Sequence, residues 1–142
     1  MLADQLKITQ ADAFVLYLKA HYYHWNVEGP NFPQYHEFLG DFYQDVFGSV
    51  DAIAELIRTL NVYAPGTLSR FQALTTIEES DTIPNAVQMM NNIMEENNTM
   101  LETLKKAYNM AEEEKQIGIA NFLQDRIQAH EKHGWMLRSI TK

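Results

Sequence analysis

The chain has 142 residues, 46% of them hydrophobic and 21% charged, which suits one domain with a sizeable core. Its 19 acidic against 11 basic residues leave a net charge of −8, which disfavours phosphate-backbone binding, and the lack of cysteine excludes disulfides, thiolate metal sites and cysteine nucleophiles. No apolar run approaches the ~18–20 residues of a membrane span, and the first residues lack the pattern of a signal peptide, so a cytoplasmic location is expected.

The first predicted helix covers roughly 4–27. Its apolar positions Ala11, Phe14, Leu18, His21 and Trp25 recur in steps of three and four. His21, on this stripe, is expected to be a hydrogen-bonded core histidine rather than a ligand. Gly29-Pro30 and Pro33 then break the chain before a second helix, roughly 33–60, with the stripe Leu39, Tyr43, Val46, Val50, Ile53, Ile57 and Leu60. Asn61 sits where a left-handed C-terminal cap belongs. Residues 61–83 form a long link, within which Thr67 to Leu74 is expected to be a short helix.

A third helix is predicted over roughly 84–111, with Pro84 in its first turn. Its stripe is Ile83, Val87, Met90, Met94, Asn97, Leu101, Leu104, Tyr108 and Ala111, which only Asn97 interrupts. The methionines read as bundle core rather than a metal relay. Glu112-Glu113-Glu114 reads as a solvated turn that could also add negative potential near an entrance. The fourth helix, roughly 116–140, carries Ala120, Leu123, Ile127, His130, Gly134 and Leu137. His130 is expected to be a satisfied core histidine; His133 has no partner evident in the sequence.

Two short connections make antiparallel hairpins, and the 61–83 link is long enough to run back along helices of ~40 Å. The expected fold is therefore all-α: a single domain over 1–142, a ferritin-like four-helix bundle with one long crossover carrying a short helix.

The chemistry-bearing stretch runs from His24 to His36, followed by Asp51 and Glu55. Imidazole with carboxylate suits iron, and Asp51 and Glu55, four apart, share a helix face. The turn through Gly29, Pro30 and Pro33 can bring His24 and His36 together. His36 and Asp51, however, are fifteen residues apart on one predicted helix, ~22 Å along its axis, whereas metal–ligand bonds are ~2 Å. If these residues share a metal, one subunit holds two separated half-sites. A two-fold dimer with antiparallel second helices would join the histidines of one chain to Asp51 and Glu55 of the other. Spacing alone equally allows a helix-end histidine, a surface histidine and a solvated acidic face.

The pattern His-Trp-Asn-Val-x-Gly-Pro-x-Phe-x-x-x-His from His24 to His36, then Asp-x-x-Ala-Glu from Asp51 to Glu55, resembles the signature of the Dps miniferritins. The segment Arg126 to Ser139 is similar to that family's last helix, and the resemblance extends over roughly 10–140. It implies a dodecameric homo-oligomeric shell, a ferroxidase centre between two subunits and a mineral cavity. Ferrous iron would be oxidised by hydrogen peroxide or dioxygen, then stored and so detoxified. Carried over by position, His24 and His36 match the ligand histidines, and Asp51 and Glu55 match the acidic ligands of the partner chain. The family pattern places another Asp four residues after the second histidine, where this chain has Gly40; Asp41 follows, rotated by ~100°. The site could be weaker, could use water, or could recruit Asp41. Trp25 resembles the family tryptophan beside the iron, although core packing is expected to be its main role. Asp125 lies where the family places a pore acid, while nearby pore positions are Asn121 and Ala129.

Three other readings compete. DNA protection by direct binding is disfavoured by the charge and by a lysine-poor start that holds only Lys7 in its first ten residues. A conventional di-iron carboxylate enzyme needs Glu-x-x-His pairs, and no Glu here is followed three residues later by His. A shell-forming scaffold with a weakened or altered metal site stays open through Gly40.

Overall fold

A computed structural model describes all residues, 1–142, as helices and connecting segments. Helix α1 spans Leu2–Asn26, α2 Phe32–Thr59, α3 Leu68–Leu74, α4 Ala86–Glu113 and α5 Ile117–Ile140. Helices α1 and α2 pack side by side, as do α4 and α5; α1 also packs along α4, and α2 touches α5 to close the bundle. The crossover from α2 to α4 carries α3 against α1. This is the all-α bundle with one long crossover that the spacing predicts.

Local chemistry sets the element ends. Asn61 takes a φ of 67°, the left-handed conformation expected after α2. The Thr67 hydroxyl accepts from the Arg70 amide and so caps α3. Pro84 does not lie in the first turn of α4. The Asn85 side chain accepts from the Gln88 amide at 2.9 Å, and this cap starts the helix at Ala86, one residue past the proline's reach. Ile83 and Val87 are accordingly exposed rather than core, whereas Met89, Met90 and Met100 are buried in it.

The face of α1 differs from expectation. Its interior line is Leu2, Leu6, Ala13, Leu16, Ala20 and Tyr23, continued by Val27 just past its end; of the predicted stripe Ala11 is buried, but Phe14, Leu18, His21 and Trp25 are not. Trp25 is 61% exposed and His21 only half-buried, so neither is a core residue. The cause is coverage from two sides. The bundle covers one flank of α1 and the crossover another, so α1 is apolar over more than one stripe and a 3.6-residue period does not select the inner one. Asp12 shows the second contact: it is fully buried and accepts from the Thr75 hydroxyl at 2.7 Å, the Thr76 amide at 2.6 Å and the Thr76 hydroxyl at 2.7 Å. This carboxylate ties the crossover to α1.

The break in the α4 stripe also has a structural reason. Asn97 is fully buried and donates from Nδ2 to the His130 carbonyl at 2.9 Å, while its Oδ1 lies 2.8 Å from His130 Nδ1. His130 is thus the satisfied core histidine expected from its stripe. No helix is long and apolar enough to cross a membrane.

Candidate metal centre

His24 lies in the last turn of α1 and His36 in the second turn of α2. The reversal between them depends on Gly29, whose φ of 121° is closed to other residues without strain; its carbonyl accepts from the Phe32 amide at 3.0 Å. That tight turn seats the two imidazoles against each other, with ring centroids 3.7 Å apart and planes 15° from parallel. Each ring bonds the other's backbone: His24 Nδ1 is 2.7 Å from the His36 carbonyl, and His36 Nδ1 is 2.7 Å from the His24 carbonyl. A carbonyl only accepts, so both Nδ1 atoms carry the proton. In the neutral imidazoles each Nε2 therefore keeps its lone pair, the state a metal ligand needs.

Asp51 and Glu55 are exposed on the far half of α2. That helix is unbroken from Phe32 to Thr59, so Asp51 stands ~22 Å along the axis from His36. Within one chain, no group of three or more His, Asp or Glu side chains converges as a metal site would. The histidine pair and the acidic pair are separate groups. Gly40 is buried beside the His24 ring, whereas Asp41 lines a groove toward α5 with Asp45, Lys132 and His133.

Next to the histidine pair, an aromatic strip follows the outer side of α1 and α2. His21 stacks on Tyr43 at 3.9 Å and meets Trp25 at 3.9 Å, and Tyr17 lies 4.6 Å from Phe47. His21 Nδ1 is 3.2 Å from the Tyr17 hydroxyl. Partial burial and the neighbouring His24 lower the His21 pKa. Trp25 at 61% and Phe47 at 52% exposure leave this strip open on the single chain. A groove of about 650 Å³ lies elsewhere, between α1 and the crossover, and includes none of the four proposed donors.

A second polar cluster was not legible in the sequence. His133 does have a partner: its Nε2 is 2.7 Å from Asp45 Oδ2, across α5 and α2. Arg126 binds the same carboxylate in a fork, at 3.0 and 2.9 Å, and reaches His130 Nε2 at 3.0 Å. Burial alone would raise the Asp45 pKa, but the hydrogen bonds from His133 and Arg126 and their charges outweigh it and hold this carboxyl well below the usual range. Asp45 and His133 are too far apart in the chain for a periodicity to connect them. Asp125 and Asn121 are exposed on α5, and Ala129 is half-buried.

Comparison with known proteins places this geometry in context. The model of the ferritin-like domain family matches residues 3–142. The DNA protection during starvation protein of Brevibacillus brevis is 33% identical over 92% of this chain and 87% of its own length. The crystal structure of a Dps protein from Bacillus brevis superposes with a TM-score of 0.95 at 30% identity, covering 99% of this chain and 95% of that one. A Dps protein from Vibrio cholerae O1, described as a member of a broad superfamily of ferritin-like diiron-carboxylate proteins, gives 0.93 at 27% identity over 99% and 89%.

Proposed function

The chain belongs to the Dps branch of the ferritin-like family, and from that premise we propose that it oxidises ferrous iron at its subunit interfaces and stores the ferric product. The proposed assembly is a closed cytoplasmic homo-oligomer of twelve subunits. His24 and His36 of one subunit and Asp51 and Glu55 of its neighbour would hold the iron, with hydrogen peroxide or dioxygen as the electron acceptor. Ferrous iron is substrate here. Two ferrous ions supply the electrons that, with two protons, reduce one peroxide to two waters.

The observation that supports this most is the separation of donors along one unbroken helix. Imidazoles tied at Nδ1 with free Nε2 atoms are half of a mixed nitrogen–oxygen site suited to iron. Exposed carboxylates on the far half of the same helix are the other half, and an antiparallel two-fold pairing of α2 brings unlike halves together twice. The open aromatic strip beside the histidines offers apolar surface for that pairing. The roles follow from the groups themselves. The histidines ligate, the carboxylates supply negative charge that stabilises the ferric state, and no residue needs to act as nucleophile. The net charge of −8 favours entry of cations.

Gly40 favours a second reading, a shell-forming scaffold with a weakened metal site. The test separates the two. A variant with His24→Ala and His36→Ala, and one with Asp51→Ala and Glu55→Ala, should each oxidise ferrous iron slowly. Co-assembled at random, half of the dimers are mixed, and each of these has one intact site. About a quarter of the wild-type rate should return. Mixing that restores nothing refutes the shared site. Wild-type protein as slow as both variants supports the scaffold. Sedimentation of a stable monomer refutes both.

A further inference from the structure

We propose that Gly40 is a positioning residue for His24: the missing Cβ at position 40 is what admits the His24 ring to its doubly bonded stack with His36. A side chain there, including the aspartate that the family pattern places at this position, displaces the ring rather than completing the site. The inference rests on the reading of His24 as an iron ligand only for its functional consequence; the geometry stands by itself.

A Cβ at position 40 would lie 3.1 Å from His24 Cε1 and 3.3 Å from its Nδ1. Both distances are inside ordinary van der Waals contact, so the ring would have to retreat by a few tenths of an ångström. It has little freedom to do so. The crowded edge of the ring is the one bearing Nδ1, which is held 2.7 Å from the His36 carbonyl, one turn before Gly40. The ring is also stacked on the His36 ring at 3.7 Å, and His36 is tied back to the His24 carbonyl at 2.7 Å. Retreat from a Cβ therefore stretches the Nδ1 bond or slides one ring across the other, and the two reciprocal bonds loosen together. Gly48, on the same helix, has no atom within 4 Å of its would-be Cβ. The constraint at position 40 is local to the histidine pair and not general to α2.

The consequence concerns metal affinity. Two imidazoles with fixed tautomer and orientation bind an ion without first losing rotamer freedom. Gly40 preserves that preorganisation at the expense of a carboxylate from its own helix. The half-site is then nitrogen-only, and all its carboxylate oxygen comes from the neighbouring subunit.

The assembled wild-type protein and the variants Gly40→Ala, Gly40→Asp, Gly48→Ala and His24→Ala are titrated with Co²⁺, whose visible absorption reports nitrogen and oxygen ligation, and are melted without metal. Alanine in a helix interior ordinarily stabilises relative to glycine, and Gly48→Ala should show this as an unchanged or higher melting temperature. Gly40→Ala should instead melt lower than wild type and bind Co²⁺ at least ~10-fold more weakly, a loss of ~1.4 kcal/mol. Gly40→Asp should bind no more tightly than wild type despite its added carboxylate. Gly40→Ala with a raised melting temperature and wild-type affinity, or Gly40→Asp with tighter binding, overturns the proposal. If wild type and His24→Ala bind Co²⁺ alike, the ligand role of His24 fails instead. The seating role is then decided by the crystal structure of Gly40→Ala: an unmoved His24 ring refutes it, and a displaced ring supports it. Should Gly40→Ala fail to fold while Gly48→Ala folds, the steric constraint at position 40 is supported outright.

Discussion

Replacing His130 by glutamine should flatten the acid side of the protein's stability profile. His130 is fully buried, and its surroundings fix one protonation state. Asn97 donates to the His130 carbonyl, which turns its Oδ1 toward Nδ1 at 2.8 Å and requires a proton on Nδ1. Arg126 approaches Nε2 at 3.0 Å as a donor, which requires a lone pair there. The neutral ring satisfies both contacts, and a second proton would face a guanidinium N–H. Burial, then Arg126, then His133 accordingly hold the pKa well below the ordinary value, with Asp45 opposing them. The unfolded chain binds its proton at pH ~6.5 and the folded chain only at lower pH. Stability is therefore full above that value and falls as the pH drops toward the folded pKa. The slope reaches about 1.4 kcal/mol per pH unit while the folded ring stays neutral, which sets an upper bound on the order of 2 kcal/mol between pH 7 and pH 5. Urea denaturation of wild type and His130→Gln at both pH values, at one subunit concentration because assembly stabilises by mass action, measures the difference. The variant should start less stable at pH 7 and lose less stability than wild type on acidification, by up to about 2 kcal/mol. Equal losses in the two proteins would refute the assignment of His130 as a neutral core group.

Asp12→Ala should destabilise the chain by about 3 kcal/mol, because three donors of the crossover lose one buried carboxylate. Hydrogen exchange at the Thr76 amide should accelerate along with the shift in the urea midpoint, and unchanged exchange would show that the crossover is held by other contacts. Gel-shift assays at neutral pH and physiological salt, without divalent ions that could bridge protein to phosphate, should leave duplex DNA free, because the net charge of −8 disfavours binding to the phosphate backbone. Tight complexes weakening steeply with salt would mean that a local basic surface outweighs the overall charge.

Helix identity and order were legible from the sequence because apolar spacing, Gly29-Pro30 and Asn61 are local signals whose physics needs no partner. So was the separation of His36 from Asp51, since helical rise converts fifteen residues into ~22 Å wherever the helix lies. The burial of His130 and Ile53 also followed from their stripes. Other features depend on atoms brought together from distant positions, and no residue pattern encodes them singly. Which flank of α1 faces inward was decided by its packing against α2 and α4, while the crossover covers its second side. The Asp45–His133 pair joins residues of α2 and α5, and neither shows a partner in its own neighbourhood. Gly40 reads as a missing ligand in sequence. In space it is a seat for His24, because only the turn at Gly29 brings the end of α1 within 3.1 Å of where that Cβ would stand. Spacing along a helix determined what this chain keeps apart; packing between helices decided what it holds together, because contact energy depends on distance in space and not on distance along the chain.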